Sequence, residues 1–382
     1  MGCIYVLKLS FYIMIICLYY LFSMYIYIGY KILNENRTNK KLKKLDRTLG
    51  VSISNELDNF KYNKKIDVDA INKIKKKSKR KLNARYLCEN LIMRLNEEKK
   101  IIIEFVNKSD ILGEVLKSRQ EQEYDIAYKI KYIGEFKIDG YYDYIIERCT
   151  DNSIYIQIDS LRTLSKLGNI DYFIKGLIKI INSTSVIHEK VLIDSINSFE
   201  GNVKELNRRF ERELLNNHSN NKFSEIILKY FKENRYIEVK DIVLKLLEEK
   251  YLDKEIKIAC IKYLIDIKDE NIKSELILLS RSEEWEIRAL SVVSLGSYCE
   301  DEDVIVVLEK ALTDENWYVR QNSAKSLYNL IKDKEKILSI IYGKDKYASD
   351  AMLTILSEVD NLEKYLLDSS IDYDLSIKEL VN

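Results

Sequence analysis

The chain has few residues whose types and spacing suit catalysis or metal binding. Its two histidines, His188 and His218, lie in separate segments, and neither has a cysteine or carboxylate at metal-ligand spacing. The sequence holds no Gly-rich phosphate loop and no GxSxG nucleophile motif. Its six cysteines include no CxxC pair, so disulfides are not expected, and Cys299 is predicted to be a core residue. We therefore predict a protein that is not an enzyme and that uses no cofactor or metal.

Charged side chains are distributed unevenly along the chain. Residues 1–100 carry 22 Lys and Arg against 9 Asp and Glu, whereas the remaining residues carry 40 against 52. This polarity suits a basic segment beside anionic lipid and a body without affinity for nucleic acid. The run KIKKKSKRK at Lys73–Lys81 is either a nucleic-acid patch or a solvated or lipid-facing helix surface. No aromatic residues interleave with it, as base stacking requires, so we favour the second interpretation and expect no nucleic acid partner.

A membrane-spanning helix is predicted over residues 9–30, after an N-terminal tail of residues 1–8. Leu9–Tyr30 contains no charged residue in 22 positions. At about 1.5 Å per residue the helix is roughly 33 Å long, enough to cross a hydrocarbon core of about 30 Å. A cleaved signal peptide is the alternative, but the apolar run is long and no small-x-small site follows it. The Met1-Gly2-Cys3 start resembles a myristoylation signal, yet Val6 stands where Ser or Thr is required.

Basic residues directly after the apolar run predict its orientation. They are Lys31, Arg37, Lys40, Lys41, Lys43, Lys44 and Arg47. The positive-inside rule places the N-terminus outside the cell membrane and the long C-terminal part in the cytoplasm. The same cluster suits contact with anionic lipid. We expect residues 31–100 to form a basic neck that is partly helical, with a helix from about Asp69 to Glu98 predicted by leucine spacing.

An internal repeat is the strongest pattern in the chain. WEIRALSVVSL at Trp285–Leu295 aligns with WYVRQNSAKSL at Trp317–Leu327, and the only two tryptophans occupy the same slot. We call the position of Arg288 and Arg320 in these two segments the arginine slot, and we use it as the anchor of each repeat. Related segments, each with an apolar residue seven positions after the anchor, recur at steps of 29 to 34 residues. The anchors are Glu123, Gln157, Glu189, Phe223, Lys257, Arg288, Arg320 and Ser349.

Each repeat is predicted to be a pair of helices. Val304–Leu312 and Val319–Ile331 are both amphipathic, and Asp314 in the turn between them suits the N-terminus of the second helix. Gly134, Gly168 and Gly296 are predicted to end helices in the left-handed conformation. One pair cannot bury its apolar face, so successive pairs must stack. We predict an all-α chain in which residues 101–382 form a solenoid of seven to eight repeats.

These residues resemble the HEAT family, including its short bacterial lyase-like variety. The shared feature is an acidic turn, an aliphatic residue, Arg, a small residue and Leu, and it is clearest over residues 255–331. The resemblance implies that Arg288 and Arg320 bond acidic turn residues such as Asp314. From their position at the turn before the second helix, we expect Trp285 and Trp317 to be wedges between units or contacts for a partner. Further partner contacts are expected on the concave wall from the second-helix residues Asn322, Lys325 and Tyr328.

Function is predicted from this architecture. We favour a membrane-anchored HEAT scaffold, which binds a protein partner at the cytoplasmic face of the membrane. A regulatory subunit or sensor of a membrane enzyme or secretion system is the alternative. An enzyme of the bilin lyase or DNA glycosylase type is disfavoured, because the body is acidic and its histidines lack companions.

Overall fold

The computed structural model describes residues 2–117, 122–216, 221–249, 252–298, 301–331 and 333–359. All regular secondary structure in these ranges is helical, as predicted. His218 and Cys299 lie outside them. The chain divides into two compact units, Met1–Leu167 and Gly168–Asn382, called unit 1 and unit 2 below.

Unit 1 contains eight α-helices and one π-helical turn within its described residues. They are α1 (Gly2–Leu45), the π-helical turn Asp46–Gly50, α2 (Val51–Asn63), α3 (Val68–Lys77), α4 (Lys81–Ser109), α5 (Gly113–Leu116), α6 (Glu123–Glu135), α7 (Tyr142–Arg148) and α8 (Ile154–Leu167).

The first helix is much longer than the predicted span. One uninterrupted helical segment runs from Phe11 to Asn63, and its apolar window is long enough to cross a membrane by length and composition. Side chains in that window are not buried within the chain. The segment after the window is therefore helical throughout, although its sequence shows weak helical periodicity. Exposed polar residues on all sides of α1 obscure that periodicity.

The C-terminal part of this long helix packs one face against the core of unit 1. The π-helical turn buries Leu49, and Ile53 and Phe60 continue the same apolar face. The Phe60 ring lies 5.6 Å from the Phe105 ring of α4. The Tyr86 hydroxyl of α4 donates a 2.6 Å hydrogen bond to Asp46 Oδ1, and desolvation together with that carboxylate raises the pKa of Tyr86 to about 12.

The predicted helix over residues 69–98 is wrong in its bounds. Two helices replace it, α3 and α4, with Asp67 capping α3 by accepting from Asp69 N and Ala70 N. The leucine spacing belongs to α4 alone, and that helix runs on to Ser109 through a non-helical residue at Glu98. The lysine run at residues 73–81 spans the break between them and contributes buried Ile74 and Ser78 to the core.

Unit 2 consists of six successive helix pairs within its described residues. They are α9 (Ile170–Ile181) with α10 (Glu189–Asn197), α11 (Val203–Asn216) with α12 (Asn221–Glu233), α13 (Lys240–Leu247) with α14 (Lys254–Leu264), α15 (Glu270–Leu279) with α16 (Trp285–Leu295), α17 (Glu302–Ala311) with α18 (Trp317–Leu330), and α19 (Lys334–Ile341) with α20 (Lys346–Glu358). A 3₁₀ turn, Ile237–Val239, precedes α13.

The second helices of these pairs form the more closely packed layer. From α10 to α20, each second helix packs along the second helix of the next pair, whereas successive first helices contact one another less. All eight predicted anchors fall in different helices, namely α6, α8, α10, α12, α14, α16, α18 and α20. Each anchor in unit 2 lies in the second helix of its pair, as the spacing of the repeats predicts.

Two of the three predicted glycines, Gly168 and Gly296, end a helix, but only Gly168 does so in the left-handed conformation. Gly168 has a φ of +73°, as expected for a left-handed cap, and a Cβ there would lie 3.0 Å from Gly201. Gly134 lies inside α6, and Gly296 has a φ of −59°. These two allow close helix packing instead. A Cβ on Gly296 would lie 2.5 Å from Ser326 Oγ, and one on Gly134 2.9 Å from Thr163 Oγ1.

Candidate interaction surface

Arg288 joins two successive repeats through a bidentate ion pair. Its Nε and Nη2 donate to Asp314 Oδ2 and Oδ1 at 2.8 and 2.9 Å. Its Nη1 donates to the carbonyls of Ser282 and Glu283 in the turn before its own helix. Both side chains are largely buried, with 10% and 13% of their surface exposed. The guanidinium therefore fixes its own turn and the next turn together.

The electrostatics of this pair favour its charged form. The hydrogen bonds that Arg288 donates to the Asp314 carboxylate raise the pKa of Arg288. Burial alone would raise the pKa of Asp314, but hydrogen bonds from Arg288 and from the Asn316 backbone N–H hold it below its ordinary value. Asp314 does not cap α18, contrary to the sequence prediction. Asn316 is the cap, accepting from Tyr318 N, and Asp314 Oδ1 accepts from Asn316 N at 2.8 Å.

Arg320 makes the same contacts with its own turn but a different contact with the next repeat. Its Nη1 donates to the carbonyls of Asp314 and Glu315 at 2.7 and 3.0 Å, repeating the Arg288 pattern. Its guanidinium carbon lies 4.9 Å from the centre of the Tyr347 ring, which is a cation–π contact. The arginine slot thus holds the turn in both repeats, while its partner in the next repeat varies.

The slot keeps this role at one upstream anchor, where the sequence resemblance fades. Gln157 occupies it in α8 of unit 1 and is almost fully buried. Its Nε2 donates to the carbonyl of Asp151, six residues earlier, at 2.6 Å. Arg288 and Arg320 reach carbonyls at the same separation. A neutral amide can therefore replace the guanidinium for the contact within a repeat.

An aromatic edge, defined here as Trp285, Trp317, Tyr318 and Tyr347, lies at the starts of α16, α18 and α20. Trp285 and Tyr318 stack with ring centres 5.3 Å apart, and Trp317 meets Tyr318 edge-on at 5.0 Å. Trp285 thus bridges two repeats, but neither indole is buried as a wedge would be. Their exposed fractions are 37% and 54%, and Tyr318 and Tyr347 are exposed more than half.

The other predicted partner contacts are separate from this edge. Asn322 is half-buried and donates to the Ala289 carbonyl of α16 at 3.4 Å, so its amide joins two repeats. Lys325 is exposed and Tyr328 half-buried. Tyr328 lies about 16 Å further along α18 than Trp317, from a rise of about 1.5 Å per residue. The structure brings Trp285 and Trp317 together and leaves Lys325 and Tyr328 towards the other end of α18.

The membrane-proximal basic residues follow the apolar window on α1. All are exposed: Lys31, Arg37, Lys40, Lys41, Lys43 and Lys44. Within the described residues, no group of three or more His, Cys, Asp or Glu side chains could hold a metal ion.

A second set of bonds between repeats was missed in the sequence. Asp269 and Asp301 cap α15 and α17, and each also pairs with a lysine of the preceding first helix. Lys240 lies 2.6 Å from Asp269, and Lys273 lies 2.7 Å from Asp301. These lysines lower the pKa of both aspartates. The recurrence of aspartate at 269, 301 and 333, two steps of 32, is the signal that predicts these caps.

One comparison with known proteins supports this part of the fold. A family model of HEAT repeats matches residues 272–340, which include both Trp-Arg segments. The match confirms the resemblance predicted from the sequence. The crystal structure of an engineered protein from the Northeast Structural Genomics Consortium aligns with 81% of this chain and 99% of its own, at 13% identity and a TM-score of 0.33. No curated protein matches the chain.

Proposed function

We propose that this protein, whose residues 272–340 are HEAT repeats, is a membrane-anchored scaffold that binds a protein partner and catalyses no reaction. The single observation that carries the proposal is the aromatic edge. Three of its rings, Trp285, Trp317 and Tyr318, are exposed at the starts of α16 and α18, directly after turns whose carbonyls are bonded by Arg288 and Arg320. The fourth ring, Tyr347, is exposed and lies against the Arg320 guanidinium. Exposed Trp and Tyr on a rigid support are the side chains that most often dominate the binding energy of protein interfaces.

Membrane attachment is the second part of the proposal. The apolar window of α1 supports a single span, and the basic residues after it support an N-terminus outside the cell and a cytoplasmic C-terminal part. Anchoring confines the repeats to the membrane surface and so raises their effective concentration near other membrane proteins. Resistance to carbonate extraction tests the anchor. In intact spheroplasts, added protease should remove an N-terminal tag and should leave a C-terminal tag intact until the cells are lysed, which tests this topology.

Partner binding is tested by crosslinking the full-length protein in membranes of its own host. Trp317→Ala should remove the crosslinked complex, because it deletes the most exposed indole of the edge. Val306→Ala is the matched control. Val306 is exposed on α17, the first helix of the same pair, so its loss should leave the complex intact. Retention of the same complex by Trp317→Ala, with helicity unchanged by circular dichroism, would contradict the proposed surface.

The second candidate function is a regulatory subunit or sensor of a membrane enzyme or secretion system. The continuous helix from Phe11 to Asn63 favours it, since this helix joins the apolar window to the core of unit 1 through Leu49 and Phe60. Such a helix can transmit movement or rotation. Inserting Gly-Pro-Gly after Asn36 interrupts the helix. Altered activity of the bound enzyme would identify a regulator, and unchanged activity a passive scaffold.

A further inference from the structure

The charges around the aromatic edge identify the kind of partner that fits it. Three glutamates, Glu283, Glu284 and Glu315, adjoin Trp285 and Trp317 in the two turns that carry these rings. All three are exposed, and 87% of the Glu315 side chain is accessible. Arg281 is the one exposed cation in the first of these turns. Negative charge therefore predominates around the indoles.

These carboxylates are weakly engaged within the chain. Among the residues that the structure describes, the Glu284 carboxylate has one distant ion pair, with Lys254 at 4.0 Å. Glu315 lies 3.4 Å from an Arg288 nitrogen that already bonds Asp314 at 2.9 Å. The Glu283 carboxylate has no partner among the described residues, although its carbonyl accepts from Arg288. Exposed, weakly paired carboxylates beside indole faces suit a cation, which gains from both the charge and the ring quadrupole.

We propose that the part of this edge formed by Trp285, Trp317 and Tyr318 binds a lysine- or arginine-rich segment of a partner protein. Tyr347 is left out of this site, because the exposed Lys344 and Lys346 adjoin it. The inference rests on the proposed function and adds the chemistry of the partner. Charge complementarity supports it, since the guanidinium or ammonium groups would meet three carboxylates and lie against Trp317, Tyr318 and the free face of Trp285. The contact between Arg320 and Tyr347 at the next repeat is an example of the same chemistry inside the chain.

Intrinsic fluorescence gives a direct test, because Trp285 and Trp317 are the only tryptophans in the chain. The full-length protein in zwitterionic detergent is titrated with two peptides of equal length that lack Trp and Tyr. One alternates Lys or Arg with Gly or Ser, and the other carries Asp and Glu instead. We expect a saturable change in emission with the basic peptide alone. Its affinity should fall about tenfold or more in about 1 M salt, where the Debye length is about 3 Å.

Removing the carboxylates tests the charge without removing the reporters. The combined variant Glu283→Gln, Glu284→Gln and Glu315→Gln should weaken basic-peptide binding about tenfold. The control variant, Glu302→Gln, Asp303→Asn and Glu309→Gln, removes the same charge from exposed positions of α17 and should leave the affinity unchanged. Circular dichroism checks that both variants keep their helicity.

Three results would overturn the inference, and the first two concern the peptides and variants directly. One is equal or tighter binding of the acidic peptide, and the other is equal weakening by the control variant. Absence of any peptide response, while Trp317→Ala still abolishes the complex in host membranes, would also overturn it but leave the scaffold intact. The two proposals therefore fail separately. The partner could be a second copy of this chain or another protein. A basic peptide with the sequence of residues 31–47 of this chain distinguishes the two.

Discussion

Two neighbouring junctions of unit 2 use the same residue in the same slot and reach different partners. Between α16 and α18, Arg288 pairs with the buried carboxylate of Asp314. Between α18 and α20, Arg320 lies over the exposed ring of Tyr347. The residue three positions before the second helix differs, being Asp314 at the first junction and Gly343 at the second. The slot thus determines the contact within a repeat, and the next turn determines the contact between repeats.

The largest predicted effect comes from breaking the first junction. Arg288→Ala leaves the buried Asp314 carboxylate without its partner and should lower the free energy of unfolding by about 3 kcal/mol. Arg320→Ala loses bonds to carbonyls and a cation–π contact and should cost about 1 kcal/mol. Urea unfolding followed by tryptophan fluorescence measures both, because both indoles lie at these junctions. Equal costs for the two variants would show that the junctions do not differ.

A companion variant sharpens this prediction. Replacing both members of the pair, as Arg288→Met with Asp314→Leu, removes the charge and keeps apolar volume. Stability should then recover most of the loss seen with Arg288→Ala, since well-packed apolar residues often replace a buried ion pair at little cost. If the double variant is as unstable as Arg288→Ala, the stabilisation lost in Arg288→Ala comes from the bonds between the guanidinium and the carbonyls and not from the ion pair.

Close packing at the first junction predicts the next largest effect. Gly296→Ala would bring a methyl group within 2.5 Å of Ser326 Oγ, whose hydroxyl bonds the Val292 carbonyl at 2.9 Å. Forcing α16 and α18 apart should cost about 1–3 kcal/mol. Gly343→Ala, at the exposed turn before α20, is the comparison and should cost less. The same unfolding measurement checks both, and a neutral Gly296→Ala would contradict the packing argument.

Acid should weaken the first junction. The pKa of Asp314 is held below its ordinary value in the folded chain, so the unfolded chain binds more protons in the acid range. The stabilisation is complete above the ordinary aspartate pKa of about 3.9 and is lost as the pH falls through the lower folded value. Asp269 and Asp301 contribute with the same sign. Arg288→Met with Asp314→Leu should flatten the acid slope of tryptophan-monitored stability, and an unchanged slope would count against this pair.

Sequence alone predicted the parts of this fold that depend on the period. The anchors fell in eight separate helices because an apolar face must recur wherever a helix pair stacks. Contacts across a junction were harder to predict. The stack of Trp285 on Tyr318 and the need for Gly296 depend on how closely α16 and α18 approach, which spacing within one helix does not encode. The neck was predicted to be only partly helical, and its continuous helix was not predicted, because its buried residues begin only at Leu49, beyond a largely exposed stretch.

The smallest effect is expected at the second junction, where Tyr347→Leu removes the ring beneath Arg320. An exposed cation–π contact stabilises by about 0.5–1 kcal/mol, so the loss should stay within that range. Tyr342→Leu is the matched control, as an exposed tyrosine in the turn before α20 without a described ring contact, and should cost less. Urea unfolding followed by tryptophan fluorescence compares the two. If Tyr347→Leu cost as much as Arg288→Ala, an exposed ring would hold two repeats together as firmly as a buried carboxylate, and the contrast between the junctions would be lost.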